Sequence, residues 1–283
     1  MSSSSPADAV ATRTRLRIDS RRRWFPNFKA LFRARQLLVL LSRREITVRY
    51  RQTVLGTIWI FTGPLVSAGL FTFVFGRVAK LPTDGVPYFA FSYAGLVGWN
   101  LFSETLLGAS KSLTSNSSLV TKIFFPRLSL PLSQLATTLI NTGISFGVMV
   151  FLLLVYDIGF SLHLLLLPVW LLLAIVMAMG LGFALTAISA LYRDVNYLTP
   201  VFIPLLLYLT PVAYSSSAVP PELRTAYLLN PIATIVDGFR WSLLGHAELS
   251  PWAIVYTVVV AFGSMIAGLM VFARLEGKFA DVI

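Results

Sequence analysis

The sequence predicts an all-α, polytopic membrane protein with six transmembrane helices, and three observations predict it. Of its 283 residues 56% are hydrophobic and 12% are charged, about half the charged share of an ordinary soluble domain. The charges are also clustered: thirteen of the 23 Lys and Arg fall within residues 1–53. Finally, six runs contain no Asp, Glu, Lys or Arg, at 52–76, 85–103, 128–156, 158–192, 195–221 and 249–273, and each holds 19 residues or more. About 20 apolar residues cross the hydrocarbon layer, and a charge at its centre costs roughly 2.5 to 3.5 kcal/mol on insertion. Each run is therefore expected to hold one span, at about 54–77, 88–110, 131–155, 164–191, 198–214 and 251–273.

An even number of spans puts both termini on one side of the membrane. With cytoplasmic termini, 19 Lys and Arg lie inside, against Arg77, Lys80, Arg224 and Arg240 outside, so the positive-inside rule predicts a multi-pass protein with both ends in the cytoplasm. The net charge of +11 raises a nucleic-acid partner, but its position ahead of the first span assigns it to anionic lipid instead. No cysteine is present, which removes disulfides and thiolate metal sites. His163 and His246 are too far apart for a metal motif and are read as structural, so no metal site is expected. The polar, Arg-rich stretch ahead of the first span does not read as a cleavable leader, and the span's own apolar run is expected to direct insertion.

Along the chain, residues 1–27 form a basic arm expected to be disordered and cytoplasmic. Residues 28–53 carry an imperfect helical pattern, with Phe28, Leu31, Phe32, Leu38, Leu41 and Val48 on one side. An amphipathic helix in the inner headgroup layer is expected there, bending at Gly56 into the first span. Arg43, Arg44, Glu45, Arg49 and Arg51 crowd its end. The remainder, 54–283, is the membrane domain. Its first span carries an aromatic stripe of Thr57, Phe61, Pro64, Ala68, Phe71 and Phe75. The segment 111–131 joins the second and third spans, with a short helix expected around Ser118–Phe125 and ended by Pro126, its Leu119, Val120, Ile123 and Phe124 facing a partner or the bilayer surface.

The fifth span holds Pro200, Pro204 and Pro211, and a stripe of Tyr197, Val201, Pro204, Tyr208 and Pro211. Each proline removes a backbone donor, which in lipid is tolerated only where neighbours or a cavity satisfy the freed carbonyls. Two proline-broken, aromatic-striped spans are expected to line a pathway. Segment 215–250 is too apolar for a free loop and too interrupted to span. Two short re-entrant helices on the outer side are expected, the second capped by Asn230, begun by Pro231 and carrying an Asp237–Arg240 pair.

Enzyme chemistry is poorly supported. The twelve acids are scattered, without a metal-binding pair, an HExxH or a serine elbow. Glu104 alone sits well inside a span, as a functional candidate or as the partner of a basic group at the interface. No phosphate-binding loop precedes the only Gly-Lys, Gly277-Lys278, so any ATP that drives this chain is hydrolysed on another.

Four ordered segments carry a resemblance: SRREITVRYRQTVLGTIW, LVTKIFFPRLSLPLSQL, YRDVNYL, and TPVAY followed by VPPELRTAYLLNPIATIVDGFRWSLLG. Across residues 30–283 the chain resembles the transmembrane permease of polysaccharide-exporting type-2 ABC transporters, which export O-antigen, teichoic acid or galactan chains. The resemblance implies a second copy of the chain, two copies of an ABC ATPase subunit and a lipid-linked polysaccharide substrate. It implies no cofactor on this chain, with ATP and Mg on the partner. It assigns Arg43, Arg44, Glu45, Arg49, Arg51, Leu119, Lys122, Phe125, Arg193 and Asp194 to ATPase docking and coupling. Phe61, Pro64, Phe71, Phe75, Tyr197, Pro204, Tyr208 and Pro211 would line the channel, and Pro220, Asn230, Pro231, Asp237 and Arg240 would form the outer gate. Two other readings remain open: an exporter of a lipid or small molecule, and an integral membrane glycosyltransferase.

Overall fold

A computed structural model of the chain describes residues 24–26, 28–51, 58–83, 85–245, 247 and 249–279. The basic arm up to residue 23, the bend at Gly56, Thr57 and His246 lie outside these residues. Every regular element among the described residues is helical. The chain opens with α1 (Phe28–Arg33) and α2 (Arg35–Arg51), then α3 (Ile58–Phe71), whose end widens into a π-helical stretch at Thr72–Val78. There follow α4 (Tyr88–Ser115), α5 (Ser117–Lys122), α6 (Ser129–Val155), α7 (Leu167–Leu191) and α8 (Asp194–Leu206). The last three are α9 (Pro221–Leu228), α10 (Pro231–Leu244) and α11 (Pro251–Leu275).

Among the described residues four helical stretches are long and apolar enough to cross a membrane: Phe61–Val78, Ser129–Val155, Leu162–Leu191 and Pro251–Lys278. The other two expected spans coincide with α4 and α8. At 28 residues α4 matches the long helices in length but is richer in Ser, Thr and Gly. Its surroundings explain this, since α7, α6, α10, α3 and α8 all pack against it, and a helix enclosed by protein has no need of a lipid-facing apolar surface. Its serine hydroxyls turn back to its own carbonyls: Ser110 Oγ donates to Leu107 O at 2.9 Å and Ser112 Oγ to Ala109 O at 2.7 Å, so they cost little inside the bundle. α7 adds ties across the contact, with Thr186 Oγ1 donating to Ala109 O at 2.6 Å and Ser189 Oγ to Ser110 O at 2.8 Å.

The contact of α7 with α11 depends on glycine. A Cβ added at Gly268 would sit 1.8 Å from Gly180 O, and one at Gly180 would sit 2.4 Å from the Met265 backbone N. The backbones are in direct contact, the small-residue packing through which helices associate where hydrophobic driving force is absent.

Two apolar cores result. The larger joins α3, α4, α6, α7 and α10 around Phe91, Trp99, Phe102, Met177 and Phe239. The smaller lies where α2 crosses α6, and brings Leu41, Val120, Leu128, Phe183, Phe272 and Phe279 together. Two expectations are corrected here. Val120 does not face a partner or the bilayer but is buried in the smaller core, and the short helix ends at Lys122, with Ile123 extended. Leu119 is also partly buried there, whereas Ile123 and Phe124 do stand exposed, Phe124 at 76%. In the N-terminal helices the apolar set divides: Leu41 is buried, while Phe28, Phe32 and Val48 stay on the surface.

Candidate functional site

At the end of the bundle that carries α9 and α10, the chain after α8 loses helical hydrogen bonding for a reason visible in its sequence. Pro204 and Pro211 have no N–H to give, and Pro200 and Pro204 already lie inside α8. The α-helix therefore stops at Leu206, short of the expected 214, and continues as tight three-residue turns: Tyr208 N donates to Leu205 O at 3.2 Å and Thr210 N to Leu207 O at 3.2 Å. From Leu209 on the carbonyls have no helical partners.

Each is answered from elsewhere. Asn230 Nδ2 donates to Leu209 O at 3.1 Å, and Val212 N to Thr210 O at 2.7 Å. Tyr88 OH donates to Ala213 O. Arg240 supplies the rest: its Nη1 donates to Pro211 O and, at 3.2 Å, to Tyr214 O, its Nη2 donates to Val212 O at 2.6 Å, and its Nε donates to Phe91 O of α4 at 3.3 Å. This side chain is 1% exposed. Its guanidinium lies 3.8 Å from the centre of the Phe91 ring, and Asp237, one helical turn earlier, approaches it at 3.6 Å. Arg is suited to this task because its fork presents five donors in a fixed plane. Space for it comes from α4, where a Cβ at Gly95 would sit 2.7 Å from Nη2.

The expected Asp237–Arg240 pair is thus present, as the centre of a larger network. Asp237 Oδ2 also accepts from the Ser216 hydroxyl and, at 3.0 Å, from Tyr227 OH of α9. Burial first, and the Asp237 charge second, push the Tyr227 phenol up from its ordinary value, so it remains a protonated donor. Asn230 caps α10 as its sequence position suggests, its Oδ1 accepting from Ile232 N at 3.1 Å with Pro231 as first helical residue. Pro220 precedes α9 without a side-chain cap, and Gly245 closes α10 in the left-handed conformation. Because Asn230 both caps α10 and holds Leu209 O, Asn230→Ala is expected to lower stability by about 1 to 2 kcal/mol, seen as a lower melting temperature in detergent. Asn230→Asp, which retains the cap acceptor but not the donor to Leu209, should fall between.

The two aromatic stripes have different surroundings. Along α8 and the turns after it, Tyr197 is 77% exposed and Tyr208 66%, and Val201 and Pro204 between them are exposed as well, while Pro211 is buried in the Arg240 network. The stripe on α3 turns largely inward. Ala68 and Phe71 belong to the larger core, Phe75 packs against it and meets Phe71 edge-on at 5.6 Å, and Phe61 and Pro64 are half-buried. The open face of this segment is instead Val66, Leu70, Phe73 and Val74. Phe71, at 9% exposure, is packed within its own subunit, a correction to its expected channel-lining place, because the neighbouring α4 offers the apolar surface that it fills.

At the opposite end of the bundle, the candidate coupling residues gather around the end of α4. Arg44 Nη1 donates to Asn116 Oδ1 at 2.8 Å, which docks α2 onto the α4–α5 junction. Thr114 Oγ1 donates to Asn196 Oδ1 at 3.2 Å, which ties the start of α8 to the same place. Arg127 Nη1 donates to Glu276 O at 2.5 Å and stacks over Phe279, joining this segment to the end of α11. Arg43, Arg49, Lys122, Arg193 and Asp194 are exposed around it, Glu45 and Phe125 half-buried. The Arg51 side chain lies outside the described residues.

Sequence reasoning missed Tyr88, Phe91, Ser216 and Tyr227 in the one network and Asn116, Arg127 and Asn196 in the other. The signal that pointed to the first was a charged pair inside an apolar stretch. Among the described residues Glu104 is met by Asn141 of α6, whose Nδ2 donates to Oε2 at 2.6 Å. His163 is held by Ser161 at 2.7 Å from Nδ1 and stacks on Trp241 at 4.1 Å.

Comparison with known proteins fits this arrangement. A family model described as ABC-2 type transporter matches residues 36–244. The O-antigen export system permease protein RfbA of Myxococcus xanthus is 27% identical over 257 residues, covering 90% of this chain and 98% of that protein. A protein of the same name from Klebsiella pneumoniae is 26% identical over 248 residues, covering 87% of this chain and 95% of its own length, and a second from that organism is 25% identical over an equal stretch.

Proposed function

The chain belongs to the ABC-2 type transporter family, and on that premise we propose that it is the permease subunit of an ATP-driven exporter that carries a lipid-linked polysaccharide across the bacterial plasma membrane. It is a transport component, not an enzyme, and its partner is an ABC ATPase that holds the ATP and Mg. The polysaccharide is of the O-antigen, teichoic acid or galactan class, in keeping with the export role in the names of its relatives.

The observation that carries the reading is the exposed stripe Tyr197, Val201, Pro204 and Tyr208 on a helix that proline has broken. A lipid-facing helix has no use for backbone breaks, whereas flat aromatic faces offer weak, repeated contact to sugar rings passing along them. Six crossings follow: α3 with its π-helical end, α4, α6, α7, α8 with the turns after it, and α11. Two copies of the chain enclose the passage, with α8 and the open face of α3 toward it, and two ATPase subunits bind beneath. The excess of cations before α3 and in the 111–131 segment supports a cytoplasmic side for both termini and the Arg44–Asn116 junction, where the ATPases dock. The Arg240 network then lies at the outer mouth, where α9 and α10 form the gate.

Vesicles containing this chain and its ATPase subunit test the reading. ATP-dependent appearance of the host's lipid-linked glycan on the far side is expected, and Tyr197→Ala with Tyr208→Ala should slow it about tenfold while ATP hydrolysis in the absence of glycan persists. Unchanged export in the double variant, or transport without any ATPase, would reject it.

A further inference from the structure

Beside the gate network a cavity of about 450 Å³ opens between α9, α10 and the first turn of α11, and its polar lining is Ser216, Arg224, Tyr227, Thr234, Asp237 and Ser250. We propose that this cavity binds a single neutral sugar ring of the glycan as it emerges, an inference that rests on the polysaccharide reading and adds a specific subsite to it. The volume is within the roughly 300 to 1,000 Å³ of small-ligand sites. Four of the six polar groups are hydroxyls, each able to give and to accept a hydrogen bond, which is the pattern that sugar hydroxyls require.

The fifth, Asp237, is 4% exposed, and its Oδ2 takes two side-chain hydroxyls, Ser216 and Tyr227, with no backbone N–H among its partners. Hydroxyl rotors can turn toward a ligand without moving the backbone, so the network can exchange an internal bond for one to a sugar. Arg240, 3.6 Å away on the far side of Asp237, offsets its charge. Leu228 and Leu249 complete the wall and suit the C–H face of a ring. An acyl chain would leave the polar groups unpaired in an apolar contact, which burial of polar groups penalises. A phosphate would find Arg224 in the lining but would also meet the buried Asp237 carboxylate, whereas a neutral ring can bond to both. One wall, α9, has α10 as its main neighbour and is exposed along its outer side, so a ring has a way in.

The test uses the complex with its ATPase subunit in lipid nanodiscs, probed with single-repeat fragments cut from the host's own polysaccharide and, separately, with inorganic phosphate. Saturable fragment binding by calorimetry is expected. Thr234→Val with Ser250→Ala should weaken it at least tenfold, as should Asp237→Asn, and melting curves identify variants that fail to fold. Undiminished binding in the Thr234→Val/Ser250→Ala variant, or phosphate binding in place of sugar, overturns the proposal. No fragment binding while vesicles still export the glycan overturns the site and leaves the exporter intact. Fragment binding with no export despite a competent ATPase supports the site and removes the exporter reading.

Discussion

Replacing Arg240 with methionine is expected to abolish accumulation of folded protein, or to lower its melting temperature in detergent by about 10 °C or more. Methionine roughly conserves the apolar stem and removes every donor. Pro211, Val212, Tyr214 and Phe91 would each lose an acceptor bond, and a buried carbonyl left unpaired costs about 1 to 3 kcal/mol. Asp237 would also remain buried without its cation, and breaking a buried pair in this way costs about 3 to 5 kcal/mol. These losses overlap, so the lower end is the safer figure, yet it already rivals the whole stability of a typical domain. Arg240→Lys keeps the charge but offers a single compact donor group that cannot reach four carbonyls, and should recover part of the loss. Adding Asp237→Asn to Arg240→Met should recover the charge component alone. A methionine variant as stable as the parent would mean that water, not Arg240, satisfies the end of the broken helix.

The second large effect is expected at Gly268. An alanine there places Cβ 1.8 Å from Gly180 O, half a normal contact distance, and no rotamer can relieve a clash between backbones. The helices would have to part by more than about 1 Å along their closest approach. Interhelical contact in lipid is short-range packing, and overpacking of a fixed core costs about 1 to 3 kcal/mol even where side chains can adjust. Gly268→Ala is therefore expected to leave little protein in the folded fraction on size-exclusion chromatography. Gly63→Ala, at a position with nothing within 4 Å, serves as the control and should be neutral. Equal yields from the two would show that α7 and α11 are not in backbone contact in the membrane.

The helices at the expected spans were legible because charge marks their ends: Asp157 separates α6 from α7, and Arg193 and Asp194 mark the start of α8. The cap at Asn230 was legible for a related reason, since capping is local and Asn-Pro states it directly. Where α8 ends was not, because the number of residues that three prolines remove from a helix depends on which donors reach the freed carbonyls, and those donors come from Tyr88, Asn230 and Arg240. The same distance in sequence hid the network itself: Phe91 and Arg240 are 149 residues apart. Periodicity identified the stripe on α3 but not the direction it faces. Phe71 and Phe75 at helical spacing suit a lumen and a core equally, and only the position of α4 decides for the core. Val120 was misplaced because a short apolar helix in a polar segment looks like a docking element until α2 and α11 are seen to close over it.

One guanidinium completing the bonding of strands of backbone that leave the ribosome far apart has a consequence for biogenesis. Phe91 is synthesised 149 residues ahead of Arg240, whereas Pro211–Tyr214 precede it by only 26 to 29. Until residue 240 is in place these carbonyls depend on water or on the translocon, so the end of the bundle that carries α9 and α10 is completed late, and a nascent chain stalled before α10 presents that end unfinished to any quality-control protease in the membrane.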